Sequence, residues 1–182
     1  MNEREIKRKS KFLSLILRHN PQLIQLELDK NGWANVEDLL IKSKRKINLT
    51  IDELEIVVKT NNKKRFSFNE EKTKIRANQG HSLKNIDLEF KAVEPPQYLY
   101  HGTVAKFMQP IKENGLQKMS RQHVHLSSER ETAINVGSRR GKAVILSIRA
   151  LEMHHNGFEL YLSDNGVWLT NNVPVEYIEF KN

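Results

Sequence analysis

Several short strings in this sequence set cations beside groups that hold or donate protons. Arg18 and His19 stand together in Leu17-Arg18-His19-Asn20-Pro21. A fixed arginine next to an imidazole suits phosphate chemistry, because the guanidinium binds phosphate oxygens in a planar fork and the imidazole titrates near neutral pH. The pair also reads as an ordinary helix end, whose carbonyl groups favour cations. Lys63-Lys64-Arg65-Phe66-Ser67-Phe68 is a second string. In a strand it turns Lys63 and Arg65 to one face and Lys64 and Phe66 to the other. Two cations on one face clamp a phosphate; a solvated strand over a Phe66 and Phe68 core is the alternative. Arg76-Ala77-Asn78-Gln79-Gly80-His81-Ser82 places a cation, two amides, a glycine and a hydroxyl within one short segment. Such a segment binds phosphate and ribose through side chains and backbone N–H groups, or is only a polar turn.

In the second half, His101-Gly102-Thr103 ends an aromatic strand, and Arg121-Gln122-His123-Val124-His125-Leu126-Ser127 alternates its histidines. His123 and His125 share one strand face, a spacing that a metal uses. No third ligand set accompanies them, so no metal is expected. There is no Gly-rich dinucleotide fingerprint and no P-loop; Gly141-Lys142-Ala143 is not a Walker motif. A nucleotide bound here needs another fold.

The elements that position these strings can be read from periodicity. Phe12, Leu13, Ile16 and Leu17 give Arg4 to His19 one buried helical stripe, which Asn20-Pro21 ends. Asn31-Gly32 marks a turn. Asn35 caps a short helix through Val36, Leu39 and Leu40. Thr50-Ile51-Asp52-Glu53 is a capping box ahead of Leu54, Val57 and Val58. The period then changes to two, at 65–68 and 73–76, as in a β-hairpin. Three helices and a β-wing make a winged helix; a small packing domain without a nucleic-acid role is the alternative. Glu94-Pro95-Pro96 marks the boundary, giving domains 1–94 and 95–182. Beyond it we expect a helix from Val104 to Asn114, stopped by Gly115, and a strand at His123 to Leu126. A capping box at Ser128-Glu129-Arg130-Glu131 opens a helix towards Val136. Further strands are expected at Val144 to Ile148, Leu160 to Leu162, Val167 to Leu169 and Tyr177 to Phe180. The fold class is α+β, its second lobe built on a small, mostly antiparallel sheet.

Composition narrows the partners. The formal charge is +8, and the excess is uneven. Residues 1–94 hold 20 Lys and Arg against 14 Asp and Glu; residues 95–182 hold 10 against 8. A basic first half favours a polyanion. The absence of cysteine excludes disulfides and thiolate metal sites, which fits a reducing compartment. Met1 to Glu5 has no apolar stretch, and no apolar run is long enough to span a bilayer. A cytoplasmic monomer with no membrane partner is expected.

In order and spacing, these strings resemble the RNA 2′-phosphotransferase family of KptA type, a tRNA-splicing enzyme in fungi and plants. The resemblance runs from Ser10 to Phe180. It rests on Lys11-Phe12-Leu13-Ser14 with Leu17-Arg18-His19; on Gly32-Trp33-Ala34 and Lys64-Arg65-Phe66-Ser67; on Ile75-Arg76-Ala77 with Gln79-Gly80-His81-Ser82; and on Leu99-Tyr100-His101-Gly102-Thr103, Val124-His125-Leu126-Ser127 and Asn165-Gly166-Val167-Trp168-Leu169.

The resemblance implies a winged-helix RNA lobe and an ADP-ribosyltransferase-like lobe that takes NAD⁺, consumed as a co-substrate. It implies a catalytic set of Arg18, His19, Arg65 and Arg121. It places His101, Gly102, Thr103, His125, Leu126, Ser127, Gly137 and Arg139 at the dinucleotide, and Lys63, Arg76, Asn78, Gln79, Gly80, His81 and Ser82 at a 2′-phosphorylated RNA, tRNA-like or other. His101 and His125 match the two histidines of the ADP-ribosyltransferase signature. At its third position, taken as Val167, an apolar residue replaces the glutamate of many protein-modifying relatives. Two rivals share parts of this reading: a nucleic-acid-end ADP-ribosyltransferase that stops after one step, and a non-enzymatic winged-helix regulator.

Overall fold

Helix α1 (Glu3–Arg18) begins with a reciprocal cap: the Asn2 side chain accepts from the Glu5 backbone, and the Glu5 carboxylate accepts from Asn2 N–H. The computed structural model describes residues 1–180, whose backbone falls into two units that meet between Glu89 and Phe90. The boundary lies ahead of the paired prolines because Val93 N–H donates to Leu160 O and Ala92 bridges Tyr161, which ties this stretch to the second unit.

In the first unit, α1 runs into a single 3₁₀ turn (Pro21–Ile24) capped by the Asn20 side chain. Strand β1 (Ala34–Asn35) leads directly into α2 (Val36–Ser43), which Asn35 caps. Thr50 and Glu53 form the anticipated capping box of α3 (Ile51–Lys59). Glu53 is used twice, since it also pairs with the buried Lys9 of α1. Lys9 holds the Glu53 carboxyl below its ordinary range, helped by the Thr50 backbone. Strands β2 (Phe66–Phe68) and β3 (Lys74–Ala77) form the hairpin, with Phe66 opposite Ala77 and Ser67 opposite Arg76. β1 joins on the far side of β3, giving an antiparallel sheet in the order β1-β3-β2. Leu13, Ile16, Leu17, Leu39, Leu54, Val57, Phe66 and Ile75 fill one core. Each fully buried apolar side chain there contributes about 1.5–3 kcal/mol.

The second unit is strand-rich. Seven-residue β4 (Tyr98–Val104) pairs antiparallel with β7 (Ala143–Arg149), and β11 (Ile178–Glu179) adds to the other edge of β7. A second antiparallel sheet has the order β6 (Val124–Leu126), β9 (Trp168–Thr170), β8 (Leu160–Leu162). Paired backbone bonds between Tyr100 and Ser127 join the edge strand β4 to β6. Two short strands, β5 (Leu116–Gln117) and β10 (Asn172–Val173), pair separately. Helices α4 (Met108–Asn114), α5 (Arg130–Gly137) and α6 (Ala150–His155) complete the unit.

Four local expectations are corrected. The helix from Val104 starts only at Met108, because β4 runs through Val104 and a 3₁₀ turn follows. The expected box at Ser128 does not form: α5 starts after Glu129 without a side-chain cap, and Ser127 exchanges hydrogen bonds with the Glu129 backbone instead. Tyr177 closes a 3₁₀ turn, so β11 starts one residue later. Lys63 and Lys64 are not in a strand; they occupy a turn that Asn61 organises, with Lys64 at φ 41. Lys63 and Arg65 therefore do not share a strand face, contrary to expectation. Among the described residues no helix is long and apolar enough to cross a membrane.

Candidate functional site

Pro21 and the Asn20 cap stop α1, and this places Arg18 and His19 where the chain leaves the helix. Arg18 is almost fully buried, its guanidinium 5.9 Å from the Phe66 ring centroid. His19 is the exposed C-cap, and its Nδ1 lies 3.0 Å from Ser82 Oγ. The same loop closes on α1 through its backbone, since Ser82 N–H donates to Arg18 O at 3.0 Å. His19 also walls an open depression of about 380 Å³ with Pro21, Leu26, Leu28 and Leu83.

His81 sits behind this pair and is buried. Burial pushes its imidazole down to about 4, and the charges of Arg18, His19 and Arg76 push in the same direction; the Leu17 backbone pulls the other way. The ring is therefore neutral at physiological pH beneath three cationic or protonatable neighbours. Arg76 projects from β3 away from Ile75 and Ala77, its guanidinium 4.6 Å from the centre of the Trp33 ring.

Arg65 precedes β2. Its Nη1 donates to Asn61 Oδ1 at 3.2 Å, and Asn61 in turn donates to Ser10 of α1. Across the open end of the hairpin, Asn78 N–H donates to Arg65 O and Asn78 Nδ2 donates to Lys64 O at 2.7 Å. By strand alternation Arg65, Ser67, Arg76 and Asn78 belong to one hairpin face. Asn78 Oδ1 and Gln79 Oε1 are buried acceptors with no donor among the described residues. Gly80 takes φ 87, a left-handed turn that glycine adopts without strain. Lys63 is exposed on its turn.

The second unit holds its own constellation. His101 Nδ1 lies 3.0 Å from the His125 carbonyl oxygen. A carbonyl only accepts, so Nδ1 carries the proton; burial lowers the ring's pKa, and Nε2 presents a lone pair. His125 has the opposite tautomer, because Arg121 Nη1 donates to its Nδ1. Arg121 is exposed as a residue, yet burial of its guanidinium, followed by the charge of Arg140, lowers its pKa; it remains a cation. His123 packs edge-on against Tyr161 and Phe90.

Gly102 and Gly137 have a packing reason. A Cβ on Gly102 would stand 1.8 Å from Ala133 O, and one on Gly137 would stand 3.0 Å from Thr103 O, so α5 lies directly on the β4 backbone. Thr103 is buried, the Leu126 side chain points into the core, and Ser127 is tied to Glu129. Arg139 is exposed on the 3₁₀ turn after α5. Among the described residues no group of three or more His, Asp or Glu side chains is placed to hold a metal.

The first unit thus gathers Arg18, His19, Arg76, His81 and Ser82 around the end of α1, with Arg65 and Asn78 at the hairpin's open end. The second gathers His101, Arg121 and His125. Sequence reasoning missed Asn61, Ser82's role as the His19 partner, Trp33 under Arg76, and Arg140 beside Arg121. None of these carried a local signal: Trp33 reads as core or cover until the fold sets the Arg76 guanidinium over its ring.

Comparison with known proteins gives a consistent result. The family model described as "RNA 2'-phosphotransferase, Tpt1 / KptA family" matches residues 3–172. A protein of Flavobacterium johnsoniae named "Probable RNA 2'-phosphotransferase" is 57% identical over 183 residues, covering 100% of both chains. Proteins with the same name from Fusobacterium nucleatum and Rhodopirellula baltica are 55% and 49% identical. They cover 93% and 94% of this chain, and 96% and 94% of their own.

Proposed function

This chain belongs to the RNA 2′-phosphotransferase, Tpt1 / KptA family, and we propose that it removes an internal RNA 2′-phosphate by passing it to NAD⁺. The observation that carries this reading is the end of α1, where a buried arginine adjoins a histidine whose ring is held by a serine hydroxyl. The first unit then acts as a winged-helix RNA lobe and the second as an ADP-ribosyltransferase-like lobe that takes NAD⁺. The neutral His101 suits the second role, since its Nε2 lone pair can accept from a ribose hydroxyl.

In the first step an oxygen of the RNA 2′-phosphate attacks the anomeric carbon of the nicotinamide ribose. The glycosidic C–N bond breaks and nicotinamide leaves. The phosphate is itself the nucleophile, so orientation is the main contribution asked of the protein, on the order of 7–11 kcal/mol at best. In the second step the 2″-hydroxyl of the attached ADP-ribose attacks the phosphorus and gives up its proton to solvent. The bond from phosphorus to the RNA 2′-oxygen breaks, leaving 2′-hydroxyl RNA and ADP-ribose 1″,2″-cyclic phosphate. Arg18, Arg65 and Arg121 neutralise charge on the phosphoryl oxygens, and His19 protonates the departing RNA oxygen. Protonated His19 donates from Nδ1 to Ser82 Oγ and keeps its Nε2 proton for the substrate.

Arg65→Ala and Arg121→Ala test this division. Each is expected to release nicotinamide and accumulate ADP-ribosylated RNA. Loss of nicotinamide release with RNA binding intact contradicts the assignment to the second step. A wild-type reaction that ends at ADP-ribosylated RNA points instead to an ADP-ribosyltransferase.

A further inference from the structure

Helix α1 carries a feature that the reaction chemistry does not use. Arg4, Lys7, Arg8 and Lys11 recur at i, i+3, i+4 and i+7, which puts them on one side of the helix. All four are exposed. Among the described residues none of them makes an ion pair, whereas Lys30, Lys42, Lys72 and Lys74 of the same unit are matched by Glu89, Asp38, Glu55 and Asp29. Arg4 and Arg8, and Lys7 and Lys11, are like charges four residues apart, which is locally unfavourable. An anionic partner would turn that repulsion into attraction.

The row is directional. It passes the exposed Leu15 and ends at His19. At a helical rise of about 1.5 Å per residue, Lys11 lies roughly 12 Å and Arg4 roughly 22 Å from the level of His19. A nucleic-acid strand carries a phosphate about every 3.4 Å or more, so the path from His19 to Arg4 spans up to roughly six of them, and the four cations face about the last three. A lipid surface is a poorer match, because a helix lying on a membrane inserts its apolar face. The apolar face of α1, with Leu13, Ile16 and Leu17, is fully buried in the unit's core.

We propose that Arg4, Lys7, Arg8 and Lys11 form a track for the RNA backbone flanking the 2′-phosphate at His19. This rests on the functional reading above for the place of the reactive phosphate. It adds which surface holds the flank and makes flank length a determinant of substrate choice.

The test compares a 2′-phosphorylated dinucleotide, too short to reach from His19 to the row at Arg4, Lys7, Arg8 and Lys11, with 2′-phosphorylated oligonucleotides extended by six residues on the 5′ or the 3′ side. For the wild type, kcat/KM on one extended substrate is expected to exceed that on the dinucleotide by at least about tenfold at low salt, and the advantage shrinks as salt rises. In the combined variant Arg4→Gln, Lys7→Gln, Arg8→Gln and Lys11→Gln the ratio falls towards one, and the salt slope of binding decreases by up to about three. The charge-preserving variant Arg4→Lys, Arg8→Lys keeps the wild-type ratio. Thermal melts confirm that each variant is folded, and the pair Arg4→Gln, Lys7→Gln replaces the full set if it is not. A folded neutral variant that retains the wild-type ratio overturns the proposal. So does binding to anionic vesicles that depends on these residues while oligonucleotide binding does not. Fluorescence anisotropy on the same oligonucleotides without NAD⁺ reads the track independently, so a failure of the reaction chemistry is distinguished from a failure of the track.

Discussion

His19 Nδ1 stands 3.0 Å from the Oγ of Ser82, joining the end of the first helix to a loop 63 residues later. This contact orients Nδ1 of the residue assigned to protonate the leaving RNA oxygen. Ser82→Ala removes it without touching the substrate-facing nitrogen. We expect kcat to fall about tenfold with little change in KM, because a loosened acid is misplaced in the transition state more than in binding. Steady-state kinetics on a 2′-phosphorylated oligonucleotide check this. A change confined to KM shows that Ser82 contacts RNA rather than orienting His19.

Asn61 holds Arg65 in the same indirect way, accepting from its Nη1 at 3.2 Å while donating to Ser10. Asn61→Ala is expected to lower kcat/KM by about tenfold and to accumulate the same ADP-ribosylated RNA as Arg65→Ala, only less of it. Mass analysis of the RNA after a single turnover reads the outcome. If Asn61→Ala slows nicotinamide release equally, Arg65 acts in the first step.

The sequence made some of this legible and hid the rest for physical reasons. Caps and periodicity located α1, α2, α3 and the hairpin, because each is specified by neighbouring residues: Asn20 before Pro21, Thr50 with Glu53, alternation at 65–68. The clustering of Arg18, His19, Arg76 and His81 is a tertiary fact that no local pattern encodes. The ordered motifs named these residues but in separate roles, Arg18 and His19 with Arg65 and Arg121, and Arg76 and His81 at RNA. Lys63 was misassigned because alternation was extended one turn too far, into residues whose backbone bonds go to Asn61. Helix α5 was placed correctly but for its cap: Glu129 takes the N-cap position without a side-chain hydrogen bond, and Ser127 bonds the Glu129 backbone ahead of the helix.

Gly102 offers a stability test. Its missing side chain is what lets Ala133 O approach β4, and an added Cβ would sit 1.8 Å from that oxygen. Backbone cannot yield as a side-chain tip does. Gly102→Ala should therefore destabilise the protein by about 3 kcal/mol or more, at the upper end of overpacking costs. Urea unfolding measures it. A loss under about 1 kcal/mol shows that α5 can slide off the strand at little cost.

His81 should make stability pH-dependent. Its ring titrates at about 4 in the folded chain against 6.5 for an ordinary histidine. Between those values the unfolded chain holds more protons, so stability rises with pH there. The contribution is complete above 6.5 and is lost as pH falls to about 4, in total on the order of 3 kcal/mol. Stability measured across this window should have a shallower slope in His81→Asn than in the wild type. Equal slopes contradict a buried neutral imidazole.

The most direct test of the phosphotransfer follows the phosphorus. An RNA carrying a ³²P-labelled internal 2′-phosphate is incubated with the wild-type protein, with and without NAD⁺. With NAD⁺ the label is expected to move to ADP-ribose 1″,2″-cyclic phosphate as the RNA gains a 2′-hydroxyl, and without NAD⁺ it stays on the RNA. Label released as orthophosphate, or removed equally well when NAD⁺ is omitted, would show that this site does not transfer phosphate to the dinucleotide.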